Sequence, residues 1–164
     1  MITINKIIDI VREASTLMVD VSFEITEKGG YENIVTSSDV AVQDFLCSRL
    51  GNLLPGSGFL CEEKDVWDAP HDYTWIIDPI DGTANYSRGI DQCAICVGLC
   101  HKGEMEAGVV YLPRTNEMFH AEKGKGAYLN GKRIHVSDRP FGNAILCTAL
   151  PVYHKEYAEV CSAI

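Results

Sequence analysis

Trp75-Ile76-Ile77-Asp78-Pro79-Ile80-Asp81-Gly82-Thr83 is an apolar run that closes in two acids, a glycine and a hydroxyl. Trp75, Ile76 and Ile77 are bulky or β-branched and predict a buried strand, whose ladder Pro79 is expected to stop because it has no N–H. The two acids therefore fall at a strand end. With a proline bending the backbone between them, Asp78, Asp81 and the carbonyl of Ile80 can turn toward one point, an oxygen-only arrangement suited to a hard cation. Gly82 and Thr83 follow at once, where a glycine lets a ligand approach and consecutive N–H groups can face an anion. A cation cage beside an anion nest points to a metal-bound phosphate. An Asp-Gly turn between two strands accounts equally well for Asp81 and Gly82, though it leaves Asp78 without a reason. On physics alone both readings stand.

The totals narrow the partners. The chain has 164 residues, 46% of them apolar, and no low-complexity tract, which suits one globular domain and the beginning of another. A formal charge of −9 argues against nucleic acid, and an anionic substrate would be repelled unless cations intervened. No stretch approaches the roughly 18 apolar residues of a membrane span, and no basic, then apolar, leader opens the chain, so a cytoplasmic protein is expected. Seven cysteines without a regular framework fit reduced thiols. Cys93, Cys96 and Cys100 read as small apolar residues of a buried strand rather than metal ligands, with Cys93 on the face opposite the other two.

Helices are expected on either side of a glycine break. Ile4, Ile7, Ile8, Val11, Ala14, Met18 and Val21 have helical spacing over residues 4–21, with Thr3 placed to cap the start. Gly29-Gly30 interrupts, and Lys28 before it reads as a solvated side chain on its own merits. A second amphipathic helix carries Val42, Phe45, Leu46 and Leu50 on one face; Ser37 or Ser38 can cap it, and Asp39 lies in its first turn, where the helix dipole favours a negative charge. A short strand Phe59-Leu60-Cys61 leads to Glu62-Glu63, two acids that elsewhere would be surface charge.

Beyond Thr83 the pattern is antiparallel β. Strands over 92–100 and 105–112 flank Lys102-Gly103, a third covers 117–121, and Asn130-Gly131 joins 127–129 to 132–136 as a hairpin. Gly124-Lys125-Gly126 lacks the rest of a phosphate loop and reads as a turn. His101, His120 and His135 have no mutual spacing and read as structural. A last strand, 144–148, precedes a helix through Tyr153, Tyr157, Val160 and Cys161 whose apolar face has nothing after it to cover it, the mark of a truncated chain.

The run WIIDPIDGTAN, residues 75 to 85, resembles the first signature of the inositol monophosphatase family, metal-dependent and characteristically lithium-sensitive phosphomonoesterases. Val35-Thr36-Ser37-Ser38-Asp39 resembles that family's Val-Thr-x-x-Asp element, Glu62-Glu63 its Gly-Glu-Glu with Cys61 in place of the glycine, and Asn85-Tyr86-x-x-Gly89 the end of its signature. The resemblance implies an α+β fold with helices packed on an antiparallel β-sheet, residues 1–142 forming a metal- and phosphate-binding domain and 143–164 the start of a C-terminal α/β domain. It implies Mg²⁺ held by Glu62, Asp78, the Ile80 carbonyl and Asp81, with Glu63 supporting the ligands. Asp39 and Thr83 would position the attacking water, while Glu62, Ile80, Asp81, Gly82 and Thr83 would surround the phosphate. Asn85 and Tyr86 would anchor the turn, and Lys28 aligns with a lysine on a mobile loop.

So read, two Mg²⁺ ions activate water against a small phosphorylated sugar or polyol, inositol monophosphate in the first place, in a homodimer. Bare carboxylates roughly 4 Å apart repel by about 4 kcal/mol at an effective dielectric near 20, so without cations the cluster should splay or take up protons. The family's second signature, Trp-Asp-x-Ala-Ala-Gly, is absent from these residues. A relative acting on fructose 1,6-bisphosphate, NADP or adenosine 3′,5′-bisphosphate, and a non-enzymatic metal-binding or dimerisation fragment, are the alternatives.

Overall fold

The computed structural model describes residues 3–18, 25–27, 34–63, 71–143 and 145. The expected strand over 144–148, the helix after it, Val21 and Lys28 lie outside them, apart from Ile145, which belongs to no element.

Helix α1 spans Ile4–Ser15 and gives way to a 3-10 turn over Thr16–Met18. It is shorter than the periodicity suggests because the Ser15 and Thr16 hydroxyls donate to the carbonyls of Arg12 and Glu13, each at 2.7 Å, competing with the helical N–H groups. Thr3 occupies the N-cap without a side-chain bond; its carbonyl accepts from Lys6 N at 3.0 Å instead. Short strands β1, Ile25–Glu27, and β2, Ile34–Thr36, pair antiparallel and lead straight into helix α2, Ser37–Leu53.

The main sheet has seven strands in chain order: β3 Gly58–Cys61, β4 Tyr73–Asp81, β5 Ala94–His101, β6 Glu104–Leu112, β7 Glu117–Glu122, β8 Gly126–Leu129 and β9 Lys132–Ile134. All neighbours are antiparallel except β3 and β4, which run parallel, so the sheet is mixed rather than purely antiparallel. Helix α3, Thr83–Ser87, is a single turn after β4. Asn130 and Gly131, both at positive φ, make the expected hairpin turn between β8 and β9.

Both long helices cover one face of the sheet, α1 against β5, β6 and β7 and α2 against β3 and β4. Ile7, Val11 and Ala14 of α1 and Val42, Leu46 and Leu50 of α2 meet Trp75, Ile77, Ile95, Val97, Leu99 and Val109, whose alternation puts them on that inner face. Two histidines of this sheet stack on tyrosines, His101 on Tyr73 and His120 on Tyr128. On the outer face, Ile76, Cys96, Gly98, Met105 and Val110 line an open cleft that reaches Glu62 and Asp78. Among the described residues no helix is long and apolar enough to cross a membrane.

Candidate active site

Strand β4 does not stop at Pro79 as expected; it runs on to Asp81 across a bulge. Asp78 pairs with Cys96 and Asp81 with Ala94, so β4 takes three steps where β5 takes two. Cross-strand partners share a face, and Ala94 and Cys96 are two residues apart, so both acids land on the outer face. The same bulge turns Ile80 inward, where it is buried. Missing one ladder donor, Pro79 is the residue at which such an irregularity costs least.

The parallel pair adds the third carboxylate. Leu60 pairs with Ile76 and Cys61 with Ile77, and Glu62 N continues the ladder by donating to Ile77 O at 3.1 Å. That register places Glu62 beside Asp78 on the outer face and Cys61 and Glu63 on the inner one, where both are buried. The backbone of Glu63 is held there by Gln43 of α2, whose amide nitrogen donates to Glu63 O at 2.6 Å and whose amide oxygen accepts from Glu63 N at 3.0 Å.

Asp39 enters from the start of α2. The cap is Thr36 rather than Ser37 or Ser38, because Thr-x-x-Asp spacing allows a reciprocal box: Asp39 Oδ2 accepts from Thr36 N at 2.8 Å and from the Thr36 hydroxyl, and Thr36 Oγ1 accepts from Asp39 N. This leaves Oδ1 for Thr83, whose hydroxyl donates to it at 2.9 Å and also lies 3.0 Å from Ile80 O. One proton serves these two acceptors in turn.

Gly82 is the N-cap of α3 in the left-handed region, and a Cβ there would stand 2.8 Å from Gln92 O. The turn is anchored as expected. Asn85 donates to Gln92 O at 2.8 Å, and the Tyr86 hydroxyl donates to Met18 O or Ser38 Oγ, at 2.8 and 3.0 Å. Thr83 N lies in the first turn of α3, where amides have no helical acceptor.

Charge crowding is visible in the carboxyls. Burial first, then the charge and hydrogen bonding of Glu62, with smaller pushes from Asp81 and Asp39, raise Asp78 from 3.8 to about 7. Burial and the charges of Asp78 and Asp81 likewise push the Cys96 thiol up to about 12, so it is no ready ligand. Among the described residues no three His, Cys, Asp or Glu side chains converge into a finished cage. Glu62 and Asp81 stay exposed, and Asp78, through burial first and their charge second, favours its proton.

The residues nevertheless fit a hard divalent cation. Asp78 Oδ1 is buried and has no hydrogen-bond partner, and the acids that act on it, Glu62 and Asp81, offer only oxygen. A cation would satisfy that orphan atom and reverse the sign of the repulsion. Gln43 and Thr36 are the site residues that sequence reasoning missed. The Thr-x-x-Asp spacing signals Thr36, and Gln43 lies four residues after Asp39, on the same helix face.

Residues 3–160 match the inositol monophosphatase family. Inositol-1-monophosphatase of Caulobacter vibrioides is 40% identical over 136 residues, covering 78% of this chain and 53% of that protein. Nus factor SuhB of Escherichia coli strain K12 is 34% identical over 137 residues, covering 82% and 51%. Among solved structures, an IMPase of Thermotoga maritima aligns with a TM-score of 0.75 at 33% identity, covering 82% of this chain and 54% of that one. The chain spans about half the length of these relatives.

Proposed function

The chain belongs to the inositol monophosphatase family, and from that premise we propose that its site serves Mg²⁺-dependent hydrolysis of a phosphomonoester, inositol monophosphate being the best-fitting substrate. The observation that carries this reading is the bulge-made placement of Asp78 and Asp81 on one face beside Glu62, within electrostatic reach of Asp39. Glu62, Asp78, Asp81 and the Ile80 carbonyl would hold the ions, and Glu63 supports Glu62 from the neighbouring position. Mg²⁺ bound there would neutralise phosphate charge and stabilise a departing alkoxide.

The chain's own residues handle the water. Thr83 Oγ1 gives its proton to Asp39 Oδ1, so its lone pairs can accept a hydrogen bond from water and aim that water at phosphorus. Asp39, held from its other oxygen by Thr36, stays fixed as the acceptor. The amides of Gly82 and Thr83, at the start of α3, suit phosphate oxygens. Residence in the cytoplasm and homodimer assembly belong to the same reading.

The second reading is a metal-binding or dimerisation fragment without turnover. Phosphate release from inositol 1-phosphate, fructose 1,6-bisphosphate, NADP and adenosine 3′,5′-bisphosphate decides between them, with Asp78→Asn and EDTA as controls. Release that both controls abolish supports hydrolysis. Mg²⁺ binding without release from any ester supports the second reading.

A further inference from the structure

Strand β3 lies at the edge of the sheet and ends at Cys61, so on the side away from β4 no strand among the described residues pairs with the next two residues. Residue 63 finds its partners elsewhere. The primary amide of Gln43 meets both its backbone groups, donating to the carbonyl at 2.6 Å and accepting from the N–H at 3.0 Å, and imitates a neighbouring strand. Gln43 is 1% exposed and Glu63 5%, so these bonds are shielded from competing water.

Glu62 is thereby held on both sides. Its own N–H donates to Ile77 O of β4, and the following residue is clamped to α2. We propose that Gln43 is a positioning residue for the cation site, fixing the backbone from which the Glu62 carboxylate reaches toward Asp78. The proposal rests on the reading of Glu62 as a cation ligand given above. Asp39 and Gln43, four residues apart on α2, then give one helix face two tasks: the first holds Thr83, the second the 62–63 segment.

A primary amide fits this role because it offers one donor and one acceptor at once whatever the pH. A glutamate at 43 would keep the acceptor and lose the donor while ionised; a methionine of similar length would lose both. A buried glutamine serving packing alone would affect folding but not the cation.

The test titrates the 164-residue chain with Mn²⁺, following free Mn²⁺ by electron paramagnetic resonance, for the unaltered protein, Gln43→Glu, Gln43→Met and Asp78→Asn. Circular dichroism fixes a temperature at which every variant is folded. Partners one step removed from a metal ligand typically govern about 10- to 100-fold in affinity, so both Gln43 variants should weaken Mn²⁺ binding by about tenfold or more. Should a variant not fold, amide exchange in the unaltered chain decides instead: the Glu63 N–H and the Gln43 side-chain amide should exchange slowly and shift together as Mg²⁺ is added. Folded variants with undiminished Mn²⁺ affinity, or Gln43 signals indifferent to Mg²⁺, overturn the positioning role alone. An unaltered chain that takes up no Mn²⁺, or one indifferent to Asp78→Asn, overturns the cation site and the inference with it.

Discussion

Asp78 and Asp81 are three residues apart on β4 yet share a face, because their partners Cys96 and Ala94 are only two apart on β5. A regular strand would send the second carboxylate into the core. The bulge therefore gathers negative charge at one place, and in the absence of cations Asp78 bears the consequence.

That consequence is a stability that falls as pH rises. The unfolded chain releases this proton near 3.8 and the folded chain at about 7. Between those values the folded state binds more protons, so raising pH favours unfolding through this group, and the penalty is full only above the folded value. Solvent screens this half-buried carboxyl, so the penalty amounts to about 1–2 kcal/mol rather than the whole shift. In urea unfolding with EDTA, Asp78→Asn should be more stable than the unaltered chain at about pH 8 and equal to it at about pH 4, and it should lose any stabilisation by Mg²⁺. Equal pH slopes for the two proteins would show that Asp78 is not strained.

On the proposed reading, Thr83 and Asp39 separate catalysis from capping. Asp39→Ala removes the capping box and strands the buried Thr36 hydroxyl, costing about 2–3 kcal/mol in unfolding free energy. Thr83→Val removes one hydroxyl bond and leaves the cap intact, so stability should change by about 1 kcal/mol or less. Phosphate release should fall by about 100-fold or more in both, and Thr83→Ser should retain most of it. A Thr83→Val protein that turns over normally would remove that hydroxyl from the reaction.

How much of this the sequence disclosed depends on the range of the forces involved. Val42, Leu46 and Leu50 and the Asn130-Gly131 hairpin follow from local periodicity and turn chemistry, and the fold obeys them. The acids of the central run were legible as residues, but their common face was not, since it depends on a bulge in the pairing with a distant strand. The parallel register of β3 on β4, which delivers Glu62, is likewise a long-range choice, and a short apolar run followed by two acids carries no sign of strand direction. Gln43 escaped notice because a polar residue within a helix usually faces water; only its contact with residue 63, twenty positions away, gives it a reason to be buried.

Gly82 and Gly103 test how tightly the turn after β4 is packed. Both have strongly positive φ, 82° and 86°, but a Cβ at 82 meets Gln92 O at 2.8 Å while one at 103 meets nothing within 4 Å. Gly103→Ala should therefore cost the conformational strain alone, about 1 kcal/mol. Gly82→Ala should cost about 2–3 kcal/mol, because the segment around Gln92 must also shift. Equal urea midpoints for the two variants would mean that the turn yields freely.

Cys47 on α2 and Cys61 at the end of β3 bring their sulfurs to 3.6 Å from each other. A disulfide needs about 2.05 Å, so the two sulfurs must approach further for the bond to form. With a hydroperoxide the balance is simple: two thiols give up two hydrogens and two electrons, the O–O bond breaks, and a disulfide, an alcohol and water result. Cys47 is the half-buried partner and Cys61 the buried one, so attack should begin at Cys47, with Cys61 displacing hydroxide from the oxidised sulfur. Closing a loop of roughly 15 residues stabilises by about 3 kcal/mol where geometry permits, so the oxidised chain should melt higher. Non-reducing peptide mapping after peroxide treatment should recover residues 47 and 61 in one cross-linked peptide, lost in Cys47→Ser. Because Cys61 directly precedes Glu62, the same bond should also alter Mn²⁺ affinity; cross-links at other cysteines, or none, would refute the pairing.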